Sequence, residues 1–312
     1  MMVPEELAGA QPARDVCGVV SAFNPGPENV ANVTWLLRFV EHVVVVDDGS
    51  PNDVSPALEE MERAGAVVIR LATNSGIARA LNVGIKEAIS RWNPEWVVTM
   101  DQDSRFTGDY VVSALATARN SHEPETVGMV CAESHNNIPL PTWGNPDEPQ
   151  IFDPMTSGTL VRTSSFKAVG FFDEGFFIDC VDSEFNARLR ERGLRALAGR
   201  GCNLEHSLGN ARPMKILGWH ARVGSKKLYV YYHAPFRVYY ITRNSLILAR
   251  RYALKQPTWV LRRIYMEIQS HVVRFGFGPN RKKHLVAALA GVRDALRQKM
   301  GKIDDSLAAR LR

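Results

Sequence analysis

The sequence predicts an α/β fold built on a mostly parallel sheet with helices on both faces. Three observations carry this. Short β-branched runs alternate with helical stretches through the first third of the chain. The runs are nearly continuously apolar, as strands buried on both faces are. Three of the first four runs end in polar residues, where such sheets bind their ligands.

Taken in order, Val16–Phe23 reads as the first strand and ends at Asn24. Val43–Val46 reads as the second and runs into Asp47-Asp48-Gly49-Ser50. Ala66–Leu71 is the third, and Trp96–Met100 is the fourth, followed by Asp101-Gln102-Asp103. Helices are expected at Asn29–Phe39, Val54–Ala64 and Ile77–Trp92 between them. A helix at Tyr110–Ala118, a strand at Val127–Ala132 and a loop rich in Asn and Pro come next. The segments Thr156–Val161 and Gly170–Phe177 and a helix at Asp182–Glu191 follow. Beyond Gly209 the composition shifts to long basic, aromatic helices such as Phe236–Tyr252 and Thr258–Phe275.

The bulk properties exclude several classes. With 312 residues, 45% hydrophobic and 23% charged, the chain is an ordinary globular protein of one large domain or a domain with an appendage. Cys17, Cys131, Cys180 and Cys202 are scattered without metal-like spacing and read as reduced cytosolic thiols. The acidic, Pro-containing N-terminus has no apolar stretch, so no leader is expected. No apolar run is long enough for a spanning helix. A net charge of +5 and a pI near 9.1 fit either nucleic acid or anionic lipid and phosphate substrates. No nucleic-acid motif is present, and the acids at the strand ends would repel phosphate without a metal, so nucleic acid is not an expected partner.

Several constellations could carry chemistry. Asp101-x-Asp103 alone reads better as a solvated turn, but at a strand end beside other acids it is expected to present oxygens to one hard cation. Asp48 can accept hydrogen bonds from a base or ribose. The stretch Asn74–Gly84 enters a helix, with Gly76 allowing close backbone approach to a phosphate or ribose and Arg79 supplying charge. Neither a dinucleotide fingerprint nor a P-loop occurs. Asp179, Asp182 and Glu184 cluster behind an aromatic run, a setting for a general base or for helix capping. His206 has a claim only through these acids.

Together the segments VVSAFNP, VVVVDDGS, NSGIARALNVGI, VVTMDQDS, TSGTLVR, GFFDEGFFIDCVDSEFNARLRERG, EHSLG and APFRVYYITRN resemble the family 2 glycosyltransferases, and within them the rhamnosyltransferase branch. They occur in family order over roughly residues 16–250. The resemblance implies a GT-A fold over 1–210, with a nucleotide-sugar half at about 15–105 and an acceptor half at about 106–210, then a helical region at 211–312. It implies that Ala22, Phe23, Asn24 and Asp48 hold the nucleoside, joined by Gly76, Arg79, Asp101 and Gln102. Asp103 and His206 would ligate Mg²⁺ or Mn²⁺. The family's paired acids fall on Val181-Asp182, so only Asp182 carries over as base, with Asp179 and Glu184 as rivals.

The implied activity is inverting transfer of L-rhamnose from dTDP-L-rhamnose to a lipid-linked or polysaccharide acceptor in cell-surface glycan synthesis. UDP-galactofuranose as donor, or a non-catalytic nucleotide-sugar-binding protein, are the alternatives. Leu228–Tyr232 and Phe236–Arg251 interleave Tyr and Phe with Arg, as an interfacial amphipathic helix does, or as a basic face over an aromatic core stripe does. The first reading puts the chain in the cytoplasm, peripheral on the inner face of the plasma membrane. Arg237, Arg243 and Asn244 are alternatively expected to contact an acceptor diphosphate. A homo-oligomer is left open.

Overall fold

The computed structural model describes residues 12–206, 211–216 and 219–311. The start of the chain, where no leader is expected, lies outside them, as do Ser207-Leu208-Gly209 and the side chain of His206. The chain separates into two compact units, residues 1–174 with 181–207, and residues 175–180 with 208–312.

The first unit begins with β1 (Ala13–Ala22), α1 (Pro27–Leu36), β2 (Val40–Asp47), α2 (Ser55–Arg63), β3 (Val67–Arg70), α3 (Ile77–Trp92) and β4 (Trp96–Asp101). It continues with β5 (Ser104–Phe106), α4 (Tyr110–Arg119), β6 (Val127–His135) and the two-residue strands β7 (Ile138–Pro139), β8 (Thr142–Trp143) and β9 (Gln150–Ile151). It closes with β10 (Thr159–Arg162), α5 (Thr163–Val169), α6 (Val181–Glu191) and β11 (Arg195–His206). The sheet runs β3-β2-β1-β4-β10-β6-β11-β9-β8. The first four strands are mutually parallel, while β10 is antiparallel to both β4 and β6. Val43 to Val46 of β2 are fully buried, so both faces of this strand need helical cover, which is why the run is unbroken valine. The strands at the ligand end fall where the sequence predicts them. The direction of β10 is not legible, because a four-residue apolar run carries no signal for it.

All four cysteines are buried and unbridged. Burial pushes the thiols of Cys17, Cys131 and Cys202 up to about 12, so they stay protonated and act as small apolar side chains.

The second unit opens with β12 (Ala211–Pro213), β13 (Lys215–Ile216), β14 (Trp219–His220), β15 (Arg222–Val223), β16 (Lys226–Lys227) and β17 (Tyr229–Tyr231). Strand β12 pairs with β17, and the others form two short hairpins. Helices α7 (Pro235–Tyr252), α8 (Pro257–Phe277), α9 (Arg281–Leu296) and α10 (Asp305–Leu311) complete it.

The packing favours the core-stripe reading of Phe236–Arg251 and corrects the expectation for Arg243 and Asn244. Leu228–Tyr232 contributes a strand, and the helix at Phe236–Arg251 is the buried centre of its unit. Val238, Tyr239, Tyr240, Ile247 and Leu248 are buried, and Ala287 and Ala290 of α9 join the same core. The same aromatic-basic pattern serves a core helix once neighbouring helices cover it. Arg243 and Asn244, expected at an acceptor diphosphate, are fully buried. Among the described residues, no helix is long and apolar enough to cross a membrane.

Candidate active site

Parallel register sets the geometry. Ala22 of β1 stands beside Asp47 of β2, and Ser21 stands beside Asp101 of β4. The chain therefore leaves the sheet at Phe23, Asp48 and Gln102 on three neighbouring strands, each about 4.8 Å from the next.

Side chains fasten these exits together. Asn24 adopts a left-handed φ of 51°, which Asn tolerates better than most residues, and its N–H donates to Ser50 Oγ at 2.7 Å. The Ser50 hydroxyl in turn donates to the Asp47 carboxylate. Asp48 accepts from the N–H groups of Ser75 at 2.7 Å and Gly76 at 2.8 Å. Gly76 has φ 95° at the start of α3, and Gly49 has φ 64° with the Thr73 backbone 2.2 Å from where a Cβ would sit. Only glycine fits either position.

Gln102 makes a two-sided latch. Its amide Oε1 accepts from Phe23 N–H at 2.9 Å, and its Nε2 donates to Phe23 C=O at 3.1 Å. Its own carbonyl accepts from the side chains of Asn29 at 3.0 Å and Asn32 at 2.7 Å, both on α1. The i, i+3 spacing of those two asparagines was the available sequence signal for this contact. The backbone N–H of Asp101 donates to Ser157 Oγ at 3.1 Å.

Asp103 lies in the exposed turn between β4 and β5. Strand β5 pairs antiparallel with β11, placing the His206 backbone opposite Ser104, one residue beyond Asp103. Among the described residues, no group of three or more His, Cys, Asp or Glu gathers in a metal-binding cluster.

Asp182 sits in the first turn of α6, where the helix dipole favours an anion. Its Oδ2 accepts from Thr156 Oγ1 at 3.2 Å, and the carbonyl of Thr156 accepts from Thr99 of β4 at 2.6 Å. A cavity of about 10 Å³ lined by Thr99, Met155, Phe172, Asp182 and Phe185 lies beside it. The rival acids have other partners. Glu184, 3% exposed, accepts from Arg188 Nε through both oxygens at 3.1 and 2.9 Å. Asp179 is ion-paired with Arg237 within the second unit.

Arg79, expected to supply charge to a phosphate, instead pairs with Glu174 at 3.0 Å, and Glu174 also accepts from Asn82 at 3.0 Å. The structure thus gathers Ala22, Phe23, Asn24, Asp48, Gly76, Asp101 and Gln102 around three strand exits, with Arg79 turned to a carboxylate.

A half-parallel sheet with acids at its carboxyl ends, continued by a mixed half that carries Asp182 and the β5–β11 pair, is the GT-A architecture. Residues 19–169 match the family described as Glycosyl transferase family 2, and this match supports a glycosyltransferase that uses a nucleotide-sugar donor. It is 26% identical over 298 residues to the dTDP-rhamnosyl transferase RfbF of Shigella flexneri, covering 89% of this chain and 96% of that one. Among solved structures, it resembles the mannosyltransferase PcManGT of Pyrobaculum calidifontis in complex with GDP-Man and Mn²⁺ (TM-score 0.55, 14% identity, 93% of this chain and 90% of that one). It also resembles GalNAc-T7 with UDP, GalNAc and Mn²⁺ (TM-score 0.52, 11% identity, 73% of this chain), of which it spans 47%.

Proposed function

We propose that the chain transfers L-rhamnose from dTDP-L-rhamnose, with inversion, to a lipid-linked or polysaccharide acceptor at the cytoplasmic face of a membrane. The observation that carries this is the likeness to a dTDP-rhamnosyl transferase along nearly the whole of both chains.

The nucleoside lies over the three strand exits, against Ala22, Phe23, Asn24 and Asp48. The Gln102 latch keeps the first and fourth exits at fixed separation. Asp182 takes the proton from the acceptor hydroxyl as that oxygen bonds to the anomeric carbon and the carbon–diphosphate bond breaks. A β-linked donor therefore gives an α-linked rhamnoside. The hydrogen bond from Thr156 orients the carboxylate of Asp182. The Arg188 and Arg237 pairings leave Glu184 and Asp179 less suited to the role.

A divalent cation would be held by Asp103 and His206. The β5–β11 pairing sets the His206 backbone opposite Ser104, next to Asp103, and a carboxylate with an imidazole is a partial ligand set of the kind that substrate phosphate oxygens complete. Bound there, Mg²⁺ or Mn²⁺ supplies charge neutralisation at the departing diphosphate.

The test is nucleoside diphosphate release from a panel of nucleotide sugars with Mg²⁺ or Mn²⁺ and membrane lipid extract as acceptor source. Release from dTDP-rhamnose should fall roughly 10²–10⁴-fold in Asp182→Asn. It should also fall on chelation and in Asp103→Ala. Release from a UDP-sugar alone would discard rhamnose while keeping the mechanism. A folded Asp182→Asn variant with wild-type turnover would discard the base.

A further inference from the structure

The helical unit exposes apolar surface that its own fold does not use. Helix α8 spans 21 residues and buries only Trp259, Val260 and Arg274. Its Leu261, Tyr265, Ile268 and Val272 are exposed and recur at helical spacing, so they share one face. On α9, Leu285, Leu289, Val292 and Leu296 form a second exposed stripe while the opposite face packs on α7. A groove of about 180 Å³ joins the two, with Leu246 and Leu248 of α7, Ile264 and Ile268 of α8, and Val292 of α9 among its lining. Leu254, in the α7–α8 turn, is 98% exposed, and Leu296 and Leu261 are 75% and 68% exposed. Exposed apolar stripes on neighbouring helices, meeting at the groove through Ile268 and Val292, mark an interaction surface.

Charge says what covers it. Residues 235–312 hold 17 Arg and Lys against 4 Asp and Glu, whereas residues 1–234 hold 21 against 29. The excess borders the apolar stripes. Lys255 follows Leu254, Arg262 follows Leu261, Arg281 and Lys282 open α9, and Arg293 and Arg297 lie at its end, all exposed. A second copy meeting this face would set like charge against like. Nucleic acid would answer the charge but leave the leucines in water. An anionic lipid bilayer answers both.

We infer that the α8–α9 face docks on an anionic lipid bilayer, its leucine and isoleucine stripes entering the boundary between headgroups and acyl chains while the flanking Arg and Lys meet lipid phosphates. The contact is interfacial, since neither helix is long and apolar enough to span. It deepens the reading of a lipid-linked acceptor and rests on that reading for its purpose, though its geometry is independent of the donor.

The experiment is flotation of the full chain with phosphatidylcholine vesicles, with and without phosphatidylglycerol. Wild type should float with the anionic vesicles and stay behind with neutral ones. Leu261→Ser with Leu289→Ser should lower partitioning roughly tenfold or more for each side chain removed from the lipid. Arg281→Gln with Lys282→Gln should lower it about fivefold per charge. Ile138→Ser, at an exposed apolar position in the first unit, should leave it unchanged. Nucleoside diphosphate release with a soluble acceptor should be equal in all these variants, so failure of the donor reading appears separately from failure of docking. The proposal is overturned if folded wild type ignores anionic vesicles, or if the leucine pair floats as well as wild type. It is equally overturned if the chain binds DNA in place of vesicles, or is a dimer that the leucine pair dissociates.

Discussion

The two units each hold a critical segment of backbone with a side-chain amide, and they do it in different surroundings. In the first unit, the half-buried Gln102 bonds both backbone groups of Phe23, which is 40% exposed. In the second, the fully buried Asn244 donates to the carbonyls of Phe176, Ile178 and Asp179 at 3.0, 2.8 and 2.8 Å. Its Oδ1 accepts from Arg243 Nε at 2.9 Å, and Arg243 itself donates to Gly301 C=O at 2.7 Å. The segment they grip contains three non-glycine residues with left-handed backbone, Phe177, Asp179 and Cys180, each unfavourable by roughly 1 kcal/mol or more. It runs directly into Val181-Asp182. The contrast teaches that an amide at a wet edge can be replaced by water, while the same group in a dry core cannot.

The largest expected effect is titration in the helical unit. Burial holds the imidazoles of His233 and His271 down at about 4, with nearby Arg237 and Arg274 contributing respectively. Between pH 6.5 and 4 the unfolded chain binds protons that the folded chain refuses, so stability is full above pH 6.5 and declines as pH falls through that window. About 3 kcal/mol or more should be lost, read from urea midpoints at pH 7 and pH 4.5. A flat profile would mean the two rings are wetter than this packing implies.

The amide comparison comes next. Asn244→Ala should destabilise by about 3 kcal/mol, because it strands buried carbonyls and an arginine N–H. Gln102→Ala should cost about 1 kcal/mol in stability, yet raise the donor KM roughly tenfold or more by loosening the strand exits. Equal losses of stability would break the argument from burial, and an unchanged KM would make the latch merely structural.

The smallest effect belongs to Arg79. Its bridge to Glu174 is half exposed, so Arg79→Gln should change stability by under about 1 kcal/mol. The donor KM should stay within tenfold of wild type, and a larger rise would return Arg79 to the phosphate.

Much of the ligand end was legible in the sequence. Helix α3 falls on the predicted Ile77–Trp92, and the exits after β1, β2 and β4 lie within a residue or two of expectation. Apolar runs closed by polar turns determine strand ends locally, with no need of the rest of the chain. Arg243 was misread, and the two readings of Phe236–Arg251 were not separable, for one shared reason. A basic or aromatic side chain has the same sequence signature whether it faces solvent, a carboxylate or a buried carbonyl.

The sequence by itself determined the alternation of strands and helices, the acids at the strand ends and the basic character of the C-terminal region, because periodicity, turn chemistry and charge are local properties. Only the tertiary structure decided which of those residues hold the backbone and which partners they take. Gln102 became a latch because β1 and β4 are neighbours in the sheet. His206 came opposite Ser104 because β5 pairs with β11 across a hundred residues of chain. Pairings of that range depend on which apolar faces bury one another, and no short stretch of sequence contains that information.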